Sequence, residues 1–121
     1  MTDPADPGDC IFCRIVAGDL PADIVRRSDQ SVAFRDANPQ APVHVLVVPR
    51  RHIDTAATVE LSDGDVVADM IVLARLVAED DGIAESGYRL VFNVGEDAAN
   101  SVGHLHLHVL GGRPLGGRLS G

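Results

Sequence analysis

Seven consecutive residues, His104-Leu105-His106-Leu107-His108-Val109-Leu110, constrain this chain more than any other stretch. Alternating imidazole and aliphatic side chains form the pattern of a β-strand with one polar and one buried face, since successive side chains point to opposite sides. Leu105, Leu107 and Val109 are therefore expected in a core. The three imidazoles would share the other face at a spacing of roughly 7 Å, close enough for two rings to touch one phosphate. Three of the chain's five histidines fall within five positions, which composition alone does not produce. The plainer readings are a solvated strand face or a row of metal ligands.

The 121 residues, 45% of them hydrophobic, fit one domain with a modest core. With 18 acidic against 10 basic residues the formal charge is -8, which excludes a binder of nucleic-acid backbones or anionic membranes. All ten basic residues are arginine. The absence of lysine removes Schiff-base and Walker A chemistry, so histidine is the natural nucleophile or base. Four aromatics (Phe12, Phe34, Tyr88 and Phe92) leave no stacking platform for single strands. The acidic N-terminal stretch lacks an apolar signal region and no later apolar run approaches ~18 residues, so the protein is expected to be soluble and cytoplasmic.

Residues 1–9, rich in proline and aspartate, read as a tail. Ile11, Phe12, Ile15 and Val16 recur at helical spacing before Gly18 and predict a short helix. Ile24 to Arg27 and Ser31 to Arg35 flank a polar turn, as in an antiparallel hairpin. His44 to Val48, stopped by Pro49, reads as a strand covered on both faces, although its first residue is polar. Ser62 and Asp65 resemble a capping box, followed by the stripe Val66, Met70, Leu73, Ala74 and Val77 of a long helix ending near Gly82. Tyr88 to Asn93 and Leu105 to Leu110 are two further expected strands, separated by the loop Val94 to Gly103.

A neutral imidazole nitrogen attacks phosphorus when its other nitrogen keeps its proton on a fixed acceptor. His106, central in the row, is best placed as nucleophile, with His108 donating to phosphate oxygens or the departing group. Asn93 and Ser101 border a loop whose Gly95 and Gly103 permit close backbone approach to a phosphate. Cys10 and Cys13 form a Cys-x-x-Cys in a chain without an evident export signal, favouring a metal or redox role over a structural disulfide. Two buried apolar thiols are the alternative.

The run His-φ-His-φ-His-φ-φ, with φ apolar, resembles the motif of the histidine triad (HIT) family, specifically its Hint-like branch. The resemblance extends in order over residues 10–113 through Ile11-Phe12, Phe34-x-Asp36, Pro39-Gln40-Ala41-Pro42-x-His44, Val48-Pro49-x-x-His52, Asn93, Ser101 and Val109-Leu110-Gly111-Gly112-Arg113. It implies an α+β fold whose five-stranded antiparallel sheet carries one long and one short helix. Two copies would pair into a ten-stranded sheet as a homodimer. Residues 10–113 would form the HIT domain, and 114–121 a C-terminal tail.

Carried over by position, the resemblance makes His106 the nucleophile of a nucleotidyl-histidine intermediate and His108 the phosphate and leaving-group contact. His44 would orient the site, and Asp36 would grip the ribose hydroxyls. Phe12, Ile15 and Phe34 would wall the base pocket, where plain core packing is the alternative, and Asn93 and Ser101 would contact phosphate. Cys10, Cys13, His52 and His104 match zinc ligands of bacterial relatives, and two thiolates with two imidazoles suit tetrahedral zinc. The sequence departs from the family at Ala98-Ala99-Asn100-Ser101, where relatives commonly have Gly-Gln-Ser, and lacks the tryptophan that some relatives carry near the C-terminus. The implied activity is hydrolysis or transfer at the α-phosphate of purine nucleotides, with phosphoramidates or AMP conjugates as substrates. Dinucleoside polyphosphate hydrolysis and a nucleotide-binding interaction module are the alternatives.

Overall fold

The computed structural model describes residues 10–117; the expected tail over 1–9 and the last residues of the C-terminal one, 118–121, lie outside them. Helix α1 spans Ile11–Ala17. Cys10 caps it, its Sγ accepting from the Cys13 N–H at 3.3 Å. At its other end Gly18 takes a left-handed φ of 84°, and the Asp19 N–H closes the turn onto the Arg14 carbonyl. An αL residue after the last turn is a standard helix stop, and glycine adopts it without a Cβ penalty.

Strands β1 (Ile24–Arg27), β2 (Ser31–Arg35), β3 (Val43–Pro49), β4 (Tyr88–Val91) and β5 (Leu107–Gly111) form one antiparallel sheet in the order β1-β2-β3-β5-β4. The hairpin β1–β2 occupies the residues expected for it. Helix α2, Gly64–Asp80, lies across one face and buries Met70, Leu73, Ala74 and Val77 against Ala33, Val45, Val47, Leu107 and Val109. Helix α1 covers part of the other face, packing Phe12 and Ile15 with Val32, Phe34, Leu46 and Val48. The two faces thus take alternate residues of β2, β3 and β5, as the two-residue period requires. β3 is buried on both sides, as its apolar composition predicts.

β3 runs one residue further at each end than expected, because Val43 pairs with Gly111 and Pro49 with Ser31, and three other boundaries differ for local reasons. The start of α2 is not capped by Ser62: residues Leu61–Asp63 make a 3-10 turn and Asp63 is the cap residue. Asp63 instead turns back, accepting from the Glu60 N–H at 2.9 Å and pairing with Arg51. β5 begins at Leu107 rather than Leu105. Its register with β3 pairs Val47 with Leu107, so the next in-register partner of Leu105 would be Pro49, which has no N–H to continue the ladder. Leu105 instead donates its N–H to the Ile53 carbonyl at 2.6 Å. β4 ends at Val91, opposite His108, and Asn93 lies beyond the pairing.

Candidate active site

Although His104 and His106 precede the paired part of β5, the alternation continues through them. Leu105 and Leu107 enter the α2 core, while the imidazoles lie on the α1 side. Phe12 of α1 meets His106 and His104 edge-on, with ring centroids 5.2 and 6.0 Å apart, and meets Phe34 at 5.5 Å. The single sequence pattern thus feeds two sites that share one backbone segment.

The first site opens into a cavity of about 670 Å³ lined by Phe12, Ile15, Phe34, Asp36, Asn93, Ser101, His106 and His108. That volume lies within the range of small-molecule sites. Every residue expected at a nucleotide site lines it except His44, which sits behind His108. Phe12, Ile15 and Phe34 are both core residues and cavity walls. Leu46 and Val102 also line the cavity, beyond the residues expected there. Leu46, two residues after His44 in a strand, had a legible position on the same face.

Hydrogen-bond partners decide the proton positions. His106 Nδ1 lies 2.7 Å from the His104 carbonyl oxygen, which can only accept, so Nδ1 carries the proton and Nε2 keeps a free lone pair. The Gln40 backbone N–H donates to His44 Nδ1 at 2.9 Å, placing the His44 proton on Nε2. That nitrogen lies 2.9 Å from His108 Nδ1, so the His108 proton is directed to Nε2; the Asn93 Nδ2, 3.4 Å away, is itself a donor and makes no hydrogen bond to Nε2 in this tautomer. Burial, reinforced by the neighbouring His106 and His44 rings, pushes the His108 pKa down to about 4. Burial likewise lowers that of His44, against the pull of Asp36. Both rings are neutral near pH 7. Asp36, His44 and His108 are close enough together to suggest a metal set, but the protonated His44 Nε2 makes them a hydrogen-bond chain.

The second site brings Cys10, Cys13, His52 and His104 together, with one donor atom from each within 4.8 Å of the others. His104 Nδ1 is 3.1 Å from Cys10 Sγ and 3.3 Å from Cys13 Sγ, and His52 Nδ1 is 3.2 Å from Cys13 Sγ. The remaining nitrogens face oxygen acceptors: His104 Nε2 the Pro49 carbonyl at 3.0 Å, and His52 Nε2 the Asp54 carboxylate at 2.8 Å. Imidazoles that anchor one nitrogen on oxygen and aim the other inward are oriented as metal-ligating histidines are. Asp54, outside the expected site residues, is this anchor, and the His52-Ile53-Asp54 spacing is its signal in the sequence. Burial first, and the adjacent Cys10 second, push the Cys13 thiol up to about 12, a proton that a bound divalent cation would displace. Two sulfurs and two imidazole nitrogens form a donor set able to hold a metal ion.

Among the described residues no helix is long and apolar enough to cross a membrane. The family model for the HIT domain matches residues 17–115. A curated protein of Escherichia coli (strain K12) named purine nucleoside phosphoramidase is 44% identical over 110 residues, spanning 91% of this chain and 92% of its own. The crystal structure of a HIT family hydrolase from Legionella pneumophila Philadelphia 1 superposes with a TM-score of 0.87 at 42% identity, covering 89% of this chain and 96% of that one. A HIT family hydrolase from Clostridium thermocellum gives 0.89 at 42% identity, covering 93% and 97%. With the five-stranded sheet, both helices and the complete histidine run in place, the chain belongs to the HIT domain family.

Proposed function

We propose that this protein is a nucleotide hydrolase that cleaves the bond between the α-phosphorus of a purine nucleoside 5'-phosphoramidate and its amine. The observation that carries the reading is the His106 Nδ1 to His104 carbonyl contact, which leaves one unencumbered nucleophilic nitrogen on a cavity wall. His106 Nε2 attacks phosphorus and the P–N bond breaks. The nitrogen takes its electron pair, acquires a proton from solvent and leaves as the amine. Water then cleaves the nucleotidyl-His106 bond, releasing the nucleoside monophosphate and the free imidazole. His108 Nε2–H donates to the phosphate or the departing nitrogen, charge stabilisation of the kind that preorganised donors supply. His44 holds that tautomer, Asn93 and Ser101 flank the phosphate, Asp36 takes the ribose hydroxyls, and Phe12, Ile15 and Phe34 enclose the base. The name of the E. coli relative supports this substrate class.

Zinc is the metal best matched to Cys10, Cys13, His52 and His104, since a closed set of two thiolates and two imidazoles gives it tetrahedral coordination. Bound there, it would supply structural cross-linking rather than catalysis, joining α1 to the segment that carries His106. The functional unit in this reading is 10–113, flanked by tails over 1–9 and 114–121. It acts as a homodimer: β4 has an open edge with Leu90 exposed, and α2 leaves Ile71 and Val72 uncovered. A cytoplasmic setting suits the two free thiols. The test is a panel of adenosine and guanosine 5'-phosphoramidates with dinucleoside polyphosphates as competitors for the assignment. Fast release of amine and nucleoside monophosphate from the former supports it, and turnover of dinucleotides alone overturns it.

A further inference from the structure

His44 offers one proton to two acceptors. Its Nδ1 is occupied by the Gln40 N–H, so Nε2–H is its only donor. Nε2 lies 2.9 Å from His108 Nδ1 and 3.3 Å from Asp36 Oδ2. The other carboxylate oxygen of Asp36 is held by the Asn38 N–H at 2.8 Å, so the side chain is fixed in this competing position. A carboxylate is the stronger acceptor by charge, while His108 has the shorter contact. His44 itself is buried and makes its contacts from a strand, so its ring is not free to swing away.

From this geometry we infer that Asp36 couples sugar recognition to the chemistry, acting as a positioning residue for His108. The inference rests on the hydrolase reading above and on Asp36 meeting the ribose. When hydroxyls of the sugar donate to Asp36, its lone pairs and part of its charge are taken up. The His44 proton is then committed to His108 Nδ1, which fixes the His108 proton on Nε2, facing the phosphate and the scissile bond. With a sugar lacking those hydroxyls, Asp36 retains a share of the His44 proton and the His108 tautomer is only partly held. Ribose hydroxyls thus contribute to the rate of the bound complex as well as to binding, a use of remote binding energy at the reacting centre.

The experiment compares adenosine 5'-phosphoramidate with its 2',3'-dideoxy analogue on the wild-type protein and on Asp36→Ala and Asp36→Asn. The second variant keeps an oxygen for the Asn38 N–H if the first fails to fold. In wild type, removal of the hydroxyls should lower kcat about tenfold in addition to raising KM, within the roughly hundredfold or more that acid–base groups contribute. In both variants the competing charge is gone, so kcat should become nearly independent of the sugar. On the dideoxy substrate it should exceed the wild-type value, a gain that mere loss of structure cannot give. Nitrogen-15 spectra should show one His108 tautomer with AMP bound and a mixture with 2',3'-dideoxy-AMP. Equal wild-type kcat for the two substrates, or an equal fall in kcat on both in the variants, overturns the coupling and leaves hydrolysis standing. No turnover of either substrate by wild type overturns both.

Discussion

His106 Nδ1 sits 2.7 Å from the backbone carbonyl of His104, two residues earlier, while the His104 ring turns away to Cys10 and Cys13. One residue therefore serves the nucleophile through its backbone and the cysteine cluster through its side chain. A rotation that broke either contact would disturb the other, so the two sites are mechanically joined at His104.

His106→Asn should reduce phosphoramidate turnover below about 1% of wild type, the scale expected when a covalent nucleophile is removed. AMP affinity should stay within about threefold, because Asn keeps a polar group at that position and the other lining residues are unchanged. Titration calorimetry alongside a turnover assay measures both. Turnover above that level would remove His106 from the covalent role.

Protein prepared without metal-affinity steps should contain close to one zinc per chain by elemental analysis. Cys13→Ala should lower the melting temperature by about 10 °C or more, since metal binding energy is folding energy and about 1 kcal/mol shifts a domain of this size by several degrees. Chelator should bring wild type toward the variant and leave the variant unchanged. Identical melting of metal-free and untreated wild type would reduce the four residues to packing.

His108 is held well below its ordinary pKa, at about 4, with burial the leading cause. In the unfolded chain it titrates near 6.5, so between these values the unfolded state binds more protons. The stabilisation from keeping it neutral is complete above about pH 6.5 and is lost as pH falls toward 4. Denaturant melts at pH 7.5 and 5 should show this loss, and His108→Gln should flatten it; an unchanged slope in the variant would assign the acid sensitivity elsewhere.

Ala99 holds a φ of 59° in the cavity loop, where an L-residue with a Cβ is strained. Ala99→Gly should therefore stabilise the fold by about 0.5 kcal/mol, seen as a rise of a few degrees in melting temperature. A fall would show that other contacts of the methyl group outweigh the backbone cost.

Light scattering at micromolar concentration should return twice the 12.8 kDa of one chain. Leu90→Lys, on the open edge of β4, should shift the mass toward one chain, because a charge at a paired edge is costly to bury. A wild-type mass of one chain would exclude the dimer.

What the sequence determined by itself was local and periodic. Alternation at Leu105, Leu107 and Val109 located a buried strand face, and i, i+3, i+4 spacing from Val66 to Val77 located α2. These patterns are legible because each backbone geometry repeats its side-chain directions at a fixed period. The histidine run, Asp36 and His44 were also legible, through the order in which familiar residues follow one another. Where strands stop was not: Pro49 ends the ladder for Leu105 only because β3 pairs with β5 in that register. Nor could Ser62 be known to lose the cap, since Asp63 is drawn back by the Glu60 N–H and Arg51. The His106 proton rests on a carbonyl two residues away, but the tertiary structure alone decided the tautomers of His44, His52, His104 and His108. They depend on the Gln40 N–H, the Pro49 carbonyl and the Asp54 carboxylate meeting particular ring nitrogens at about 3 Å. An imidazole's chemistry is set by which nitrogen is occupied, and that is fixed by neighbours distant in the chain as well as near ones.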